Sequence, residues 1–285
     1  MRRVKPAHLA GTWYESSAER LRDQTDALLA AAAPAVAPVR VAGITVPHAA
    51  YRYSGAVAAT AYRLVQGGPY RRAVIVAPSH RTLLPGAAML DVDAFSTPLG
   101  EVPVDTDALG LLGGHALVRR DPEPFAVEHS IEVQLPLLQR VLPAVAVVPL
   151  LLGGLDPDEV DEFGCLLECL AGPATLFIVS TDFAHYGAKF DYLPFAPCDA
   201  EAVRTGLRQL DMGAIDRVVA GDLAGFQRYV ADTAITICGQ IPMAVFLAWN
   251  GAQRRGTLLR YATSLDVTGD YQHSVSYAAI VFGTP

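Results

Sequence analysis

Apolar positions in this chain fall into unbroken runs more often than they alternate with polar ones. Ala73–Ala77 is five small or β-branched residues leading into Pro78-Ser79-His80. Such a run, with no polar alternation, predicts a strand buried on both faces of a parallel sheet. Pro78 cannot donate a ladder hydrogen bond and predicts the strand's end. Val41–Val46, closed by Pro47-His48, repeats the layout, as does Thr175–Ser180, followed by Thr181-Asp182-Phe183-Ala184-His185. In open α/β sheets ligands bind at the carboxyl edge of the strands. If the three strands are parallel neighbours, His48, His80 and His185 converge on one rim.

The remaining pattern fills in helices and further strands. Ser16 and Glu19 have capping-box spacing before a helix to about Ala33, which Pro34 and Pro38 end. Ser54 is placed to cap a helix over Gly55–Val65. Ala88–Phe95 reads as a strand, followed by a turn at Thr97–Gly100. Ile131–Leu135 opens a helix whose Pro136 sits near its start, and Ala144–Leu152 is another buried strand. Asp156-Pro157-Asp158-Glu159 combines an N-cap, a proline at the first helical position and an acid two residues on, starting a helix to about Ala171. The chain is then mainly helical from beyond His185 to about Asp232, with Asp222 as a cap, and Thr236–Gly239 opens a helix to about Trp249. Two strands, Thr257–Val267 and Ser274–Phe282, turn around Gly269-Asp270. With no linker, repeat or low-complexity segment, the expectation is a single α/β domain over residues 1–285: a mainly parallel central sheet flanked by helices on both faces.

Composition narrows the function classes. Hydrophobic residues make up 52% of the chain and charged ones 18%, which marks a globular protein with a heavily apolar interior. A net charge of −7, with no run of Lys and Arg, argues against nucleic acid. No apolar tract is long enough for a membrane span, and the basic N-terminus lacks the apolar stretch of a signal peptide. The four cysteines show neither disulfide nor zinc-ribbon spacing, so reduced thiols in a cytoplasmic protein are expected.

Candidate chemistry rests on His48, His80, Asp182, His185 and Cys238, with Glu128, His129 and Glu132 as a second group. Imidazoles with a thiolate or carboxylate suit iron, copper or zinc better than magnesium or calcium. Cys238, at a helix start, reads either as a thiolate stabilised by the positive helix end or as a small buried apolar residue. Asp182 and His185 read either as an acid orienting a base or as a helix cap beside a structural histidine. Glu128 and Glu132 have i,i+4 spacing, so they need a partner such as Arg52, Lys189 or a substrate cation, or else belong to a solvated face. Cys165 and Cys169, also i,i+4, read as core packing; His8, His115 and His273 read as surface or structural residues.

These motifs carry a resemblance. Pro47–Gly55, Pro78-Ser79-His80, Glu128–Glu132, Ser180–Gly187, Thr236–Gly239 and Ser274–Ala279 resemble, in the same order, the motifs of the Memo family, whose prokaryotic members form the B component of the AmmeMemoRadiSam system. The resemblance runs from Gly11-Thr12-Trp13-Tyr14 to the last strand. It implies a fold like that of class III extradiol dioxygenases, which hold non-haem iron(II) with two His and a Glu. It also implies that His48, His80 and Cys238 are metal ligands, with Cys238 where the dioxygenases have Glu. Asp182 and His185 match further pocket residues of the family, His185 at the acid–base position. The animal members are implied to bind iron or copper, to affect redox state and to bind phosphotyrosine peptides. Ala50 stands where the family often has Gly, which implies a slightly tighter pocket floor.

Two readings of function follow. One is an iron(II)- or copper-dependent redox enzyme acting on a small substrate, with His185 as general acid/base oriented by Asp182, and with His129, Glu128, Glu132, Tyr53 and Arg52 lining the substrate side. The other is a binding protein that takes a peptide or partner in the same pocket. A zinc-dependent hydrolase is a weaker third. The family resemblance also implies a radical-SAM partner enzyme; no nucleic-acid or membrane partner is expected.

Overall fold

Buried, unalternating runs become the centre of a mixed sheet, as their composition demands. The computed structural model describes residues 2–33, 40–196, 198–251 and 254–284. Its strands are β1 (Val4–Lys5), β2 (Arg40–Val46), β3 (Arg72–Pro78), β4 (Ala87–Met89), β5 (Ala94–Thr97), β6 (Gly100–Pro103), β7 (Val118–Arg120), β8 (Ala146–Leu152), β9 (Thr175–Ser180), β10 (His185–Tyr186), β11 (Gly256–Thr263) and β12 (Ser274–Thr284). The main sheet runs β10-β12-β2-β9-β3-β8-β4-β7, with β11 also pairing β12. Its four central strands, β2, β9, β3 and β8, are parallel, while β12 against β2 and β4 against β8 are antiparallel. The expected parallel sheet is therefore the core of a mixed one. A small second sheet, β1-β5-β6, lies beside it through the bridge of Val104 to Val147.

Helices α1 (Ala18–Ala31), α2 (Tyr51–Val65), α3 (Thr106–Leu112), α4 (Leu135–Val141), α5 (Pro157–Leu167), α6 (Ala200–Ala220), α7 (Leu223–Thr233), α8 (Gln240–Asn250) and α9 (Leu265–Thr268) flank the sheet. One layer packs α1, α2 and α4 together; another packs α5, α7 and α8. The close approach of α8 depends on Gly43, where a Cβ would lie 2.7 Å from the Phe246 ring. One hydrophobic cluster extends from Leu9 to Phe282. No described helix is long and apolar enough to cross a membrane.

Several local expectations need correction. Ser17, not Ser16, caps α1: its side chain accepts from Arg20 N, which leaves Glu19 one position short of a capping box. Helix α2 begins at Tyr51 rather than Gly55 because the Trp13 carbonyl accepts the Tyr51 N–H at 2.9 Å, a cap supplied by a distant segment. Ser54 thus lies inside the first turn and donates back to Ala49 O. Ala88–Phe95 is not one strand; Asp91 and Asp93 turn out to Arg3, and the segments on either side enter different sheets. Strand β11 stops at Thr263, where Asp266 accepts from the Thr263 N–H and opens α9. Cys165 and Cys169 are exposed rather than packed in the core. Pro34 and Pro38 lie outside the described residues. The capping box of Asp156 and Glu159 and the Asp222 cap form as the sequence predicts.

A candidate metal centre at the carboxyl edge of the sheet

The register of the central strands levels their ends. Val46 pairs with Ser180 and Val76 with Val179, so β2, β9 and β3 finish side by side. Pro47 and Pro78 stop ladder donation, and the chain leaves each strand with His48 or His80 two residues on. The two rings meet edge to face at 5.1 Å between centroids. A third imidazole, His129, completes the group from the loop ahead of α4; it lies 5.1 Å from His48 and stacks on His80 at 4.5 Å. One ring nitrogen from each of His48, His80 and His129 lies within 4.8 Å of the others. His48, His80 and His185 do line one cavity at this edge, but the third member of the close imidazole cluster is His129 rather than His185 or Cys238.

One carboxylate lies behind two of these rings. Glu128 Oε1 is 2.9 Å from His80 Nδ1 and 3.1 Å from His129 Nδ1. The same side chain accepts the backbone N–H groups of His80 at 2.6 Å, His129 at 2.8 Å and Ser130 at 3.0 Å. Burial opposes its charge, yet these donors hold its carboxyl down at about 2. Burial, with His80 beside it, pushes His129 down to about 4, and burial with the neighbouring imidazoles holds His48 well below the usual histidine range. Both rings are therefore neutral at neutral pH, the form in which imidazole ligates metals.

Glu128 and Glu132 do not line the substrate side, and neither Arg52 nor Lys189 pairs with them. Both are buried, and their charges are met elsewhere. Glu132 accepts from the N–H groups of His8 and Leu9, from Tyr14 OH at 2.7 Å, and lies 2.6 Å from His8 Nδ1. It clamps the amino-terminal segment against the loop that carries His129 and sets Trp13 over His129 at 4.5 Å between ring centroids. Like charges at i,i+4 are tolerated because the segment between them is a loop and a short 3-10 turn, not one helix face.

Asp182 and His185 both line the cavity but are not hydrogen-bonded as an orienting pair. Asp182 Oδ1 accepts the His48 N–H at 2.8 Å, fixing the β2 end. Burial raises its carboxyl to about 6, against the influence of His185. His185 Nδ1 instead lies 3.0 Å from the carbonyls of Phe183 and Thr236. Carbonyl oxygens only accept, so Nδ1 carries the proton and Nε2 is left as the basic atom. Asp211, which sequence reading missed, accepts the Ala184 N–H at 3.0 Å and the Tyr261 hydroxyl at 2.6 Å, holding this segment from α6.

Cys238 sits just ahead of α8, with its Sγ 3.1 Å from His48 Nε2 and 3.2 Å from Asp182 N. It is outside the three-imidazole cluster. Burial, reinforced by Asp182, pushes its thiol well up, so the helix end does not make it a thiolate by itself. The cavity before these groups measures about 1000 Å³, and its wall includes Trp13, Tyr53, Arg52, Arg81, Lys189 and Tyr277. Ala50, at φ −56°, stands in ordinary extended backbone that needs no glycine.

The chain is similar to known proteins over nearly its whole length. Residues 5–281 match the family described as Memo-like protein. Protein MEMO1 of Xenopus tropicalis is 34% identical over 289 residues, covering 96% of each chain. Protein MEMO1 of Homo sapiens is 33% identical over 287 residues, again 96% of each. Protein memo-1 homolog of Caenorhabditis elegans is 30% identical, over 97% of this chain and 81% of its own. With the family match spanning residues 5–281 and relatives at 33–34% identity over 96% of each chain, this chain belongs to the Memo-like protein family.

Proposed function

We propose that this protein is a non-haem metal protein with redox chemistry on a small substrate, its metal held by His48, His80 and His129. The observation that carries the reading is the convergence of three imidazole nitrogens within 4.8 Å. The donor set fits a mid-transition ion: the rings are backed by Glu128 and Ser180, and such partners orient and strengthen imidazole ligands. Iron(II) or copper is the proposed ion, with zinc as the alternative. Cys238, beside His48, is proposed as a further donor. Bound there, the ion would supply Lewis-acid and one-electron chemistry.

The chain's own residues do the rest in this reading. His185 Nε2 faces proton transfer because Nδ1 is engaged by two carbonyls. Asp182 holds the backbone at His48 and so the ring's aim. Trp13 and Tyr53 wall the cavity. Metal content by elemental analysis after anaerobic purification tests the reading. Near-stoichiometric iron or copper in the wild type, lost in His80→Ala and His129→Ala with the fold intact, is expected. Unchanged metal in those variants rejects it. A fall in Cys238→Ser as well would add the thiolate to the ligand set.

A second reading, a binding protein for an anionic peptide or partner, is favoured by a separate observation. Arg52, Arg81 and Lys189 line the cavity, and none appears in an ion pair among the described residues. Ligand affinity unaffected by metal removal would favour it.

A further inference from the structure

His48 differs from the other two histidines in what stands behind it. His80 and His129 face the Glu128 carboxylate, whereas His48 Nδ1 lies 3.0 Å from the neutral hydroxyl of Ser180. A hydroxyl can give or take a hydrogen bond, so this contact alone leaves the ring's proton on either nitrogen. The surroundings of Ser180 remove that freedom.

Ser180 Oγ lies 2.6 Å from the carbonyl oxygen of Ser130. Neither atom can approach the other so closely unless a hydrogen sits between them, and only the serine hydroxyl has one to place there. Gln134 Nε2 lies 2.8 Å from the same Oγ and donates to it. The amide cannot be turned the other way round. Its Nε2 also donates to Pro47 O at 3.0 Å, while its Oε1 accepts the Tyr62 hydroxyl at 3.0 Å. A reversed amide would set oxygen against the Pro47 carbonyl. The Ser180 hydrogen is thus committed to Ser130 and one acceptor position to Gln134. What Oγ has left for His48 is a lone pair.

We propose that Ser180, held in place by Gln134, is a positioning residue that fixes His48 as the Nδ1–H tautomer and leaves the Nε2 lone pair, on the side of Cys238 Sγ 3.1 Å away, to serve as the metal donor. Every atom in the relay is buried, and it ties four separate parts of the chain: the β2 end, α2, the loop before α4 and the β9 end. The tautomer holds whether or not a metal binds; its consequence for affinity rests on the metal reading above.

The test separates the two. Long-range ¹H–¹⁵N spectra of the metal-free wild-type protein, with His48 assigned from a His48→Gln sample, read the tautomer directly. Protonated Nδ1 with unprotonated Nε2 is expected, and protonated Nε2 overturns the proposal. In Ser180→Ala the His48 resonances should shift toward a tautomer mixture. Its cobalt(II) affinity should fall about 10- to 100-fold, as for other partners of metal-bound histidines. An unchanged tautomer and affinity in Ser180→Ala also overturns it. If Ser180→Ala does not fold, the wild-type spectrum decides alone. If the wild type binds no cobalt(II), zinc, iron or copper, the metal reading fails while the tautomer result still stands or falls on its own.

Discussion

His80 and Glu128 are 48 residues apart in sequence and bonded twice, through the ring Nδ1 at 2.9 Å and through the backbone N–H at 2.6 Å. The carboxylate therefore fixes both where the β3 end lies and which way its imidazole points. Glu128→Gln would set an amide NH₂ against at least one of these donors. We expect metal affinity to fall about 10- to 100-fold. Stability should fall by roughly 3 kcal/mol, because buried N–H groups lose their acceptor. Competition with a chromogenic chelator and urea unfolding measure the two. A variant with wild-type affinity would mean that Glu128 is structural only.

Glu132 does for the amino-terminal segment what Glu128 does for the rings. Glu132→Ala strands the buried donors of Leu9 and Tyr14, at a cost of about 1–3 kcal/mol. Trp13 should then leave His129, seen as a change in its fluorescence with Trp249 replaced by Phe. Proteolysis within the first fifteen or so residues should accelerate, while cleavage elsewhere should not.

Buried acids and buried histidines oppose each other in the pH profile of the metal-free protein. Burial raises Asp211 to about 6. Between its unfolded value near 3.9 and that figure the folded state binds more protons, so this group's contribution is present at low pH and lost as pH rises through about 6. Burial depresses His129 to about 4. Its contribution has the opposite sense: it is present above the unfolded value near 6.5 and lost as pH falls toward 4. Asp182, raised to about 6, acts in the same sense as Asp211. His48, held well below the usual histidine range, acts in the same sense as His129. The two sides therefore oppose each other in the wild type between about pH 4 and 6.5. Asp211→Asn removes one of the two raised acids, so its stability should climb with pH across this window by on the order of 3 kcal/mol relative to wild type. Urea midpoints at five pH values check the slope; parallel curves for the two proteins would exclude the pairing.

Gly239 follows Cys238 and lies against the β9 end. A Cβ there would meet Thr181 Oγ1 at 2.5 Å and Ser180 O at 3.1 Å. Gly239→Ala must push Thr181 and Ser180 away, at roughly 1–3 kcal/mol for overpacking. Metal affinity should fall in step, since Ser180 backs His48. Loss of stability with full affinity would show that the displacement is absorbed by α8.

How much of this was legible in the chain depends on whether the signal is local. The sequence by itself pointed to the buried strands at Val41–Val46, Ala73–Ala77 and Thr175–Ser180, since short, unbroken, β-branched apolar runs closed by Pro or a polar loop fit a sheet covered on both faces. It determined the stops at Pro47 and Pro78, because proline lacks the donor a ladder needs, and so placed His48 and His80 at one edge. It also determined the caps at Asp156 and Asp222, where a side chain meets its own helix. Tertiary structure alone decided which third residue joins the two histidines. His129 comes from a loop with no periodic pattern, and nothing local distinguishes it from His185 or Cys238. The same holds for Glu128 and Glu132, which as neighbours in sequence read as a charge conflict. Their partners, His80 and the segment from His8 to Tyr14, reach them only through the fold. The start of α2 was invisible for the same reason: its cap is the Trp13 carbonyl, and a hydrogen bond between distant backbone atoms leaves no trace in residue type.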